Sequence, residues 1–207
     1  MTDDPVVYVI DDDASVRKAV SRVLRSAGLA VEALASAEEF LERPVVDRPS
    51  CLVLDVRMPG SSGIDLQAAL LEARRDIPIV FMTGHGDVST GVRAMKGGAI
   101  DFLEKPFNAS DLLACVQRGL ARSQQGWRER AERAAVEQRF ATLTLRERDV
   151  LRLVVTGMLN KQIAGELGIA EKTVKIHRSH MTHKMEAGSV AELVAMARTL
   201  EPPGSRR

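Results

Sequence analysis

With 207 residues, 45% of them hydrophobic and 28% charged, the chain can hold one large domain or two small ones of ordinary globular composition. No apolar run approaches the ~18 residues of a membrane span. The acidic start Met1-Thr2-Asp3-Asp4 has no signal-peptide pattern, and Cys51 and Cys115 have neither metal nor redox spacing. These features argue against a membrane-spanning helix and a cysteine-based site, and they predict a cytoplasmic protein with inert core thiols. The net charge of +1 hides an asymmetry: residues 1–120 carry 13 Lys/Arg against 18 Asp/Glu, and residues 121–207 carry 16 against 10. An acidic half joined to a basic half suggests two domains, the second facing nucleic acid.

The first half alternates strand and helix signals. "VVYVI" (6–10) reads as a strand and "ASVRKAVSRVLRSAG" (14–28) as an amphipathic helix stopped by Gly28; "LAVEAL" and "ASAEEFLE" give a short strand and helix. "CLVLD" is a third strand with no alternation, as in a parallel sheet covered on both faces. The helix "GIDLQAALLEARR", the strand "IPIVFMT" (77–83), the glycine-broken helix "DVSTGVRAMKGG", the strand within "AIDFLEKPF" (99–107) and the helix "ASDLLACVQRGLARS", with Ser110 as a cap, complete five β/α repeats. This pattern predicts an α/β, flavodoxin-like, five-stranded parallel sheet in the order 2-1-3-4-5.

Residues 122–140 hold five Arg and three Glu, with Trp127, Ala131, Ala134, Ala135 and Phe140 at helical spacing. They read as a solvated linker helix with a narrow apolar stripe. It could extend the fifth helix, against which Gly126 argues. From 141 onward strand signals are absent. "LTLRERDVLRLVVTG" opens on a capping box, Thr144-x-x-Glu147. "NKQIAGELG" starts on Asn160 as an N-cap and stops at Gly168; "AEKTVKIHRSHMTHKM" and "SVAELVAMARTL" follow. These are four short helices, of which the second and third form a helix-turn-helix. The expected domains are therefore 1–122, a linker helix over 123–140, and 141–207.

In a sheet of this order ligands bind at the carboxyl ends of strands one and three. Strand one exits into Asp11-Asp12-Asp13 and strand three into Asp55, while strands four and five bring Thr83 and Lys105 to the same rim. Singly, each is an ordinary turn residue or strand end, and Asp13 reads as a cap. Together they suggest Mg²⁺, which accepts few protein oxygens, and phosphoryl transfer to an aspartate nucleophile. "GHGDVS" (84–89) lacks the third glycine of a dinucleotide loop, having Ser89 there. On the helix 171–185, Val174, Met181 and Met185 form an inward stripe with His177/Arg178; Lys172, Lys175, Ile176 and Ser179, with Thr173 at the amino end, form a basic face with one apolar tip. Such a face suits a DNA major groove. His177 reads as a core histidine, and the spacing of His177, His180 and His183 makes no metal site.

"VIDDDASVR", "LVLDVRMPGSSG", "FMTG" and "FLEKPF" resemble, in order and spacing, a response-regulator receiver domain over residues 6–122. The resemblance implies that Asp55 accepts a phosphoryl group from a sensor histidine kinase. It implies Mg²⁺ (or Mn²⁺) on Asp12, on Asp11 through water, on Asp55 and on the Arg57 carbonyl. It further implies that Lys105 pairs with the phosphoryl group, that Thr83 and Phe102 switch, and that the Lys105–Pro106 bond is cis. The segment 143–198 is similar to the four-helix DNA-binding domain of the FixJ/NarL/LuxR class. Within that class "DVRMPG", "TGHGD" and "DFLEKPF" point to the FixJ-like branch, and "NKQIAGELGIAEKTVKIHR" is similar to styrene-degradation regulators.

The resulting expectation is a transcription regulator that dimerises on phosphorylation through residues 88–118. It would bind a two-fold or tandem promoter site through Lys161, Lys172, Thr173, Lys175, Ile176, Arg178 and Ser179, and work with RNA polymerase rather than a membrane. Two rivals are an aspartyl-nucleophile phosphatase, disfavoured because Arg57 stands where a second acid would be needed, and a non-DNA interaction protein.

Overall fold

The computed structural model describes residues 4–44, 47–84 and 88–200, with the side chains of 88–90 left aside. The chain divides into two compact units, Met1–Arg128 and Glu129–Arg207. In the first, β1 (Val6–Ile10), β2 (Ala30–Leu34), β3 (Ser50–Asp55), β4 (Ile79–Thr83) and β5 (Asp101–Glu104) form one sheet in the order β2-β1-β3-β4-β5. All four strand pairings are parallel. The expected flavodoxin-like order is therefore the observed one. Its helices are α1 (Ala14–Ser26), α2 (Ala37–Leu41), α3 (Gly63–Glu72), α4 (Val88–Lys96) and the first part of α5 (Ala109–Ala141).

β1 and β3 are buried along their whole length, and the period of two sorts their side chains between two cores. Tyr8, Ile10, Leu52, Leu54 and Phe81 meet Phe40, Leu66 and Ala94 on one face. Val7, Val9, Cys51, Val53 and Met82 meet Val20, Leu24, Leu112 and Val116 on the other. Both cysteines are buried free thiols. Burial pushes Cys51 up to about 12, so it stays protonated. The Lys105–Pro106 bond is cis.

In the second unit α6 (Leu145–Val154), α7 (Asn160–Leu167), α8 (Glu171–Lys184) and α9 (Val190–Leu200) surround Val150, Leu151, Ile163, Val174, Met181 and Leu193. The Thr144/Glu147 capping box is present, and Gly168, at φ 64°, closes α7 in the left-handed conformation.

Several local expectations need correction. Ser110 is not the cap of α5: Asn108 Oδ1 accepts from the Asp111 N–H at 2.8 Å, and the Ser110 hydroxyl donates to the same oxygen. Asn160 lies inside α7 rather than at its cap, because its Oδ1 is taken by Arg178; Gln162 instead accepts from the Leu159 N–H. Gly126 does not interrupt α5, which runs through it for 33 residues. A glycine costs a helix interior only about 1 kcal/mol, and Trp127 beside it is held by an Nε1–H donated to Asp47. The apolar stripe also runs differently from the expected one: Ala131 and Ala134 are exposed, while Val136 is buried and packs with Phe140 and Leu143 in the core of the second unit. Charge density over 122–140 masked that single valine.

No described helix is long and apolar enough to cross a membrane.

Candidate functional site

The carboxyl ends of β1, β3 and β4 and the residue after β5 meet at one rim. Asp55, last in β3, is buried; so is Asp11, the first residue after β1, at 1% exposure. Lys105 Nζ lies between them, donating to Asp11 Oδ2 at 2.7 Å and to Asp55 Oδ1 at 2.5 Å. The other oxygens are used by the backbone: Asp11 Oδ1 accepts from the Asp13 N–H and Asp55 Oδ2 from the Arg57 N–H. Thr83, last in β4 and buried, donates its hydroxyl to the Gly84 carbonyl at 3.0 Å. The Lys105 N–H donates to the Thr83 carbonyl at 2.7 Å, which ties the lysine loop to β4. Asp12 is exposed beside this rim. Asp13 caps α1 by accepting from the Ser15 N–H and hydroxyl.

One ammonium serves two carboxylates here, and that sharing sets the proton affinities. Burial, opposed by Lys105 and reinforced by the charge of Asp11, holds the Asp55 carboxyl above its ordinary value. Lys105 suffers burial too, but gains hydrogen bonds from both acids and is held above the ordinary lysine value. An unneutralised negative charge therefore remains at the rim. Among the described residues no three His, Cys, Asp or Glu groups lie together so as to hold a metal ion by themselves. The donor set is instead one that a cation taking one or two carboxylates, a carbonyl and waters would use.

Sequence reasoning gave no role to three residues that shape this rim. A Cβ on Gly63 would sit 2.3 Å from the Asp55 carbonyl oxygen, so only glycine lets the first turn of α3 abut the exit of β3. Glu38 of α2 accepts from the Ser61 N–H at 3.2 Å and steadies the loop after Asp55. Hydrogen bonding from Ser61 lowers its carboxyl to about 2. Arg17 binds the carbonyls of Asp11 and Asp12. Arg17 ends the stretch VIDDDASVR, but its partners are main-chain atoms, which leave no mark in the sequence. Phe102, on β5, is half-buried; its ring lies about 3.3 Å from where a Cβ of Gly91 would be. Gly91, Val92, Met95, Lys96 and Phe102 line a shallow, largely apolar depression of about 600 Å³.

In the second unit Lys172, Lys175, Ile176 and Ser179 of α8 and Lys161 of α7 are exposed, and Thr173 is half-buried. Val174, Met181 and Met185 are buried on the opposite side. Arg178 is half-buried, and its Nη1 donates to Asn160 Oδ1 at 2.9 Å, fastening α8 to the start of α7. His177 is half-buried rather than core; His180 and His183 are exposed. An open groove of about 730 Å³ runs past Asn160, Lys175, Arg178, Ser179 and Thr182.

Residues 7–117 match the family described as response regulator receiver domain, and residues 141–197 match bacterial regulatory proteins of the luxR family. The chain is 49% identical to nodulation protein W of Bradyrhizobium diazoefficiens, over 94% of this chain and 86% of that protein. It is 46% identical to the transcriptional regulatory protein FixJ of Azorhizobium caulinodans, over 92% and 90%. Its fold matches the solved structure of the response regulator StyR with a TM-score of 0.87 at 49% identity, covering 94% of this chain and 98% of that one.

Proposed function

The chain belongs to the response regulators that join a receiver domain to a LuxR-type DNA-binding domain, and from that membership we propose a transcription regulator switched by a phosphoryl group on Asp55. The observation that carries this reading is the shared ammonium: Lys105 lies within hydrogen-bond distance of both Asp55 and Asp11. Asp55 Oδ attacks the phosphorus of a kinase phosphohistidine in line, and the P–N bond breaks as the new O–P bond forms. Lys105 moves from the carboxylate to a phosphoryl oxygen, and the Thr83 hydroxyl leaves the Gly84 carbonyl to donate to another. Receiver domains generally bind Mg²⁺ for phosphorylation. Here Asp11, Asp12, Asp55 and the Arg57 carbonyl would hold Mg²⁺ or Mn²⁺, which supplies the further positive charge that the transferred group needs.

The partners follow from this chemistry. They are a sensor histidine kinase, promoter DNA with two-fold or tandem sites, a second copy of the chain, and RNA polymerase; the chain itself works in the cytoplasm. Val92 and Met95, about half exposed beside Phe102, support dimerisation on the α4–β5 face. Lys161, Lys172, Thr173, Lys175, Ile176 and Ser179 would meet DNA; the bond from Arg178 to Asn160 suits a residue that braces the helix-turn-helix and reaches phosphate. Receiver 1–122, linker 123–140 and DNA-binding domain 141–207 is the working division. The chain acts as a regulator and not as an enzyme, since Arg57 rather than an acid follows Asp55 by two residues.

Acetyl phosphate with Mg²⁺ should label the wild type at one acid-stable, base-labile site and raise its sedimenting mass toward a dimer. Asp55→Asn should remove both effects while keeping the circular dichroism spectrum. Stoichiometric label on Asp55→Asn refutes the acceptor assignment, and labelling without a mass change refutes the dimer.

A further inference from the structure

Arg17 lies on α1, just beyond the loop that carries the acid pair, and it is half-buried. Its Nη1 donates to two main-chain carbonyls at once, Asp11 at 2.6 Å and Asp12 at 2.9 Å. The same loop is closed from its other side, where Asp11 Oδ1 accepts from the Asp13 N–H and Asp13 caps α1 through Ser15. Asp11, Asp12 and Asp13 are three consecutive carboxylates whose mutual repulsion would otherwise spread the turn. The guanidinium touches none of their carboxyl groups in these bonds. It grips the chain that aims them.

Resting on the reading that Asp55 is phosphorylated with Mg²⁺, we propose that Arg17 is a positioning residue for the divalent cation: by pinning the Asp11 and Asp12 carbonyls it holds the 11–12 turn in the conformation that presents both carboxylates. A turn ordered before the cation arrives does not have to be ordered by the cation. The backbone entropy of one residue corresponds to a factor of about ten in affinity. The simpler alternative, that Arg17 acts through its charge, predicts the opposite sign. A guanidinium beside the site repels Mg²⁺, so removing it would tighten binding.

The test is calorimetric titration of Mg²⁺ into the full chain for wild type, Arg17→Gln and Arg17→Lys, with thermal melting in EDTA to verify folding. The expected result is a Kd for Mg²⁺ about ten-fold higher in Arg17→Gln. Arg17→Lys should also be weakened, because the lysine Nζ sits one bond nearer the backbone than the Nη1 that serves both carbonyls, and a rotating ammonium replaces the fixed planar group. Labelling by acetyl phosphate should half-saturate at correspondingly higher Mg²⁺ and recover in excess. Unchanged or tighter Mg²⁺ binding in Arg17→Gln overturns the proposal, and so does full affinity in Arg17→Lys, which would show that the grip of the guanidinium on the two carbonyls is not what holds the turn. Should Arg17→Gln fail to fold, Arg17→Lys decides by the same criterion. A wild type that neither binds Mg²⁺ nor takes the label overturns the parent reading instead. A normal wild type with normal variants overturns only the role of Arg17.

Discussion

Each unit of the molecule contains a buried carboxylate paired with a lysine, and the two pairs differ in how fully they are satisfied. In the first, Asp55 shares Lys105 with Asp11, and burial wins over the shared cation, so its carboxyl is held high. In the second, Glu147 has Lys184 at 2.6 Å and accepts from the Thr144 N–H at 2.8 Å. Burial is again the largest single influence on it. The lysine, the backbone N–H and the Thr144 hydroxyl together outweigh that burial, and Glu147 is held below its ordinary value. A closed pair like the second stabilises a fold. An open one, with two acids on one ammonium, leaves charge for a cation or a phosphoryl group to complete.

That contrast can be broken from either side. Asp55→Asn, which abolishes labelling, should not lower the stability of the first unit at neutral pH, since it removes a carboxylate that burial disfavours. Glu147→Ala should cost about 2 kcal/mol, below the usual figure for a broken buried pair because Lys184, a third exposed, can turn to water. Urea unfolding followed by circular dichroism measures both. An unchanged midpoint in Glu147→Ala would make that pair incidental. On the exposed face of α8, Lys175→Ala should cost about 1–3 kcal/mol on the cognate operator and relax preference at one base pair, if it reads a base. Its 3.5 Å approach to Glu171 is an exposed pairing that DNA can displace. Equal weakening on scrambled DNA, with a salt slope lower by about one, would make it a phosphate contact.

The smallest effect is in pH, and its sign differs between the units. Glu147 has a depressed folded value, so its stabilisation is complete above about 4.5 and is lost as pH falls below that. Asp55 has a raised folded value, so its ionisation costs stability as pH rises past 3.8, and acid relieves that cost. Glu147→Ala should therefore flatten the acid limb of the second unit. Asp55→Asn should gain on wild type as pH rises from acid to neutral without Mg²⁺. Parallel curves in either comparison would show that the pair does not titrate as described.

The sequence by itself determined the β/α alternation, the strand order that brings Asp11, Asp55, Thr83 and Lys105 to one rim, the Thr144/Glu147 box and the basic face of α8. These follow from periodicity, turn chemistry and residue type, which are local and written in the chain. The tertiary structure alone decided which atoms each carboxylate meets. Lys105 comes to Asp11 across 94 positions and Lys184 to Glu147 across 37. Asn160 looked like a cap until Arg178 claimed its oxygen, and Val136 looked like linker until Phe140 and Leu143 packed beside it. Gly63 and Arg17 matter through main-chain oxygens of Asp55, Asp11 and Asp12. Every residue carries the same backbone carbonyl, so residue type cannot mark which of them a side chain will find; that waits on the packing of the sheet and its helices.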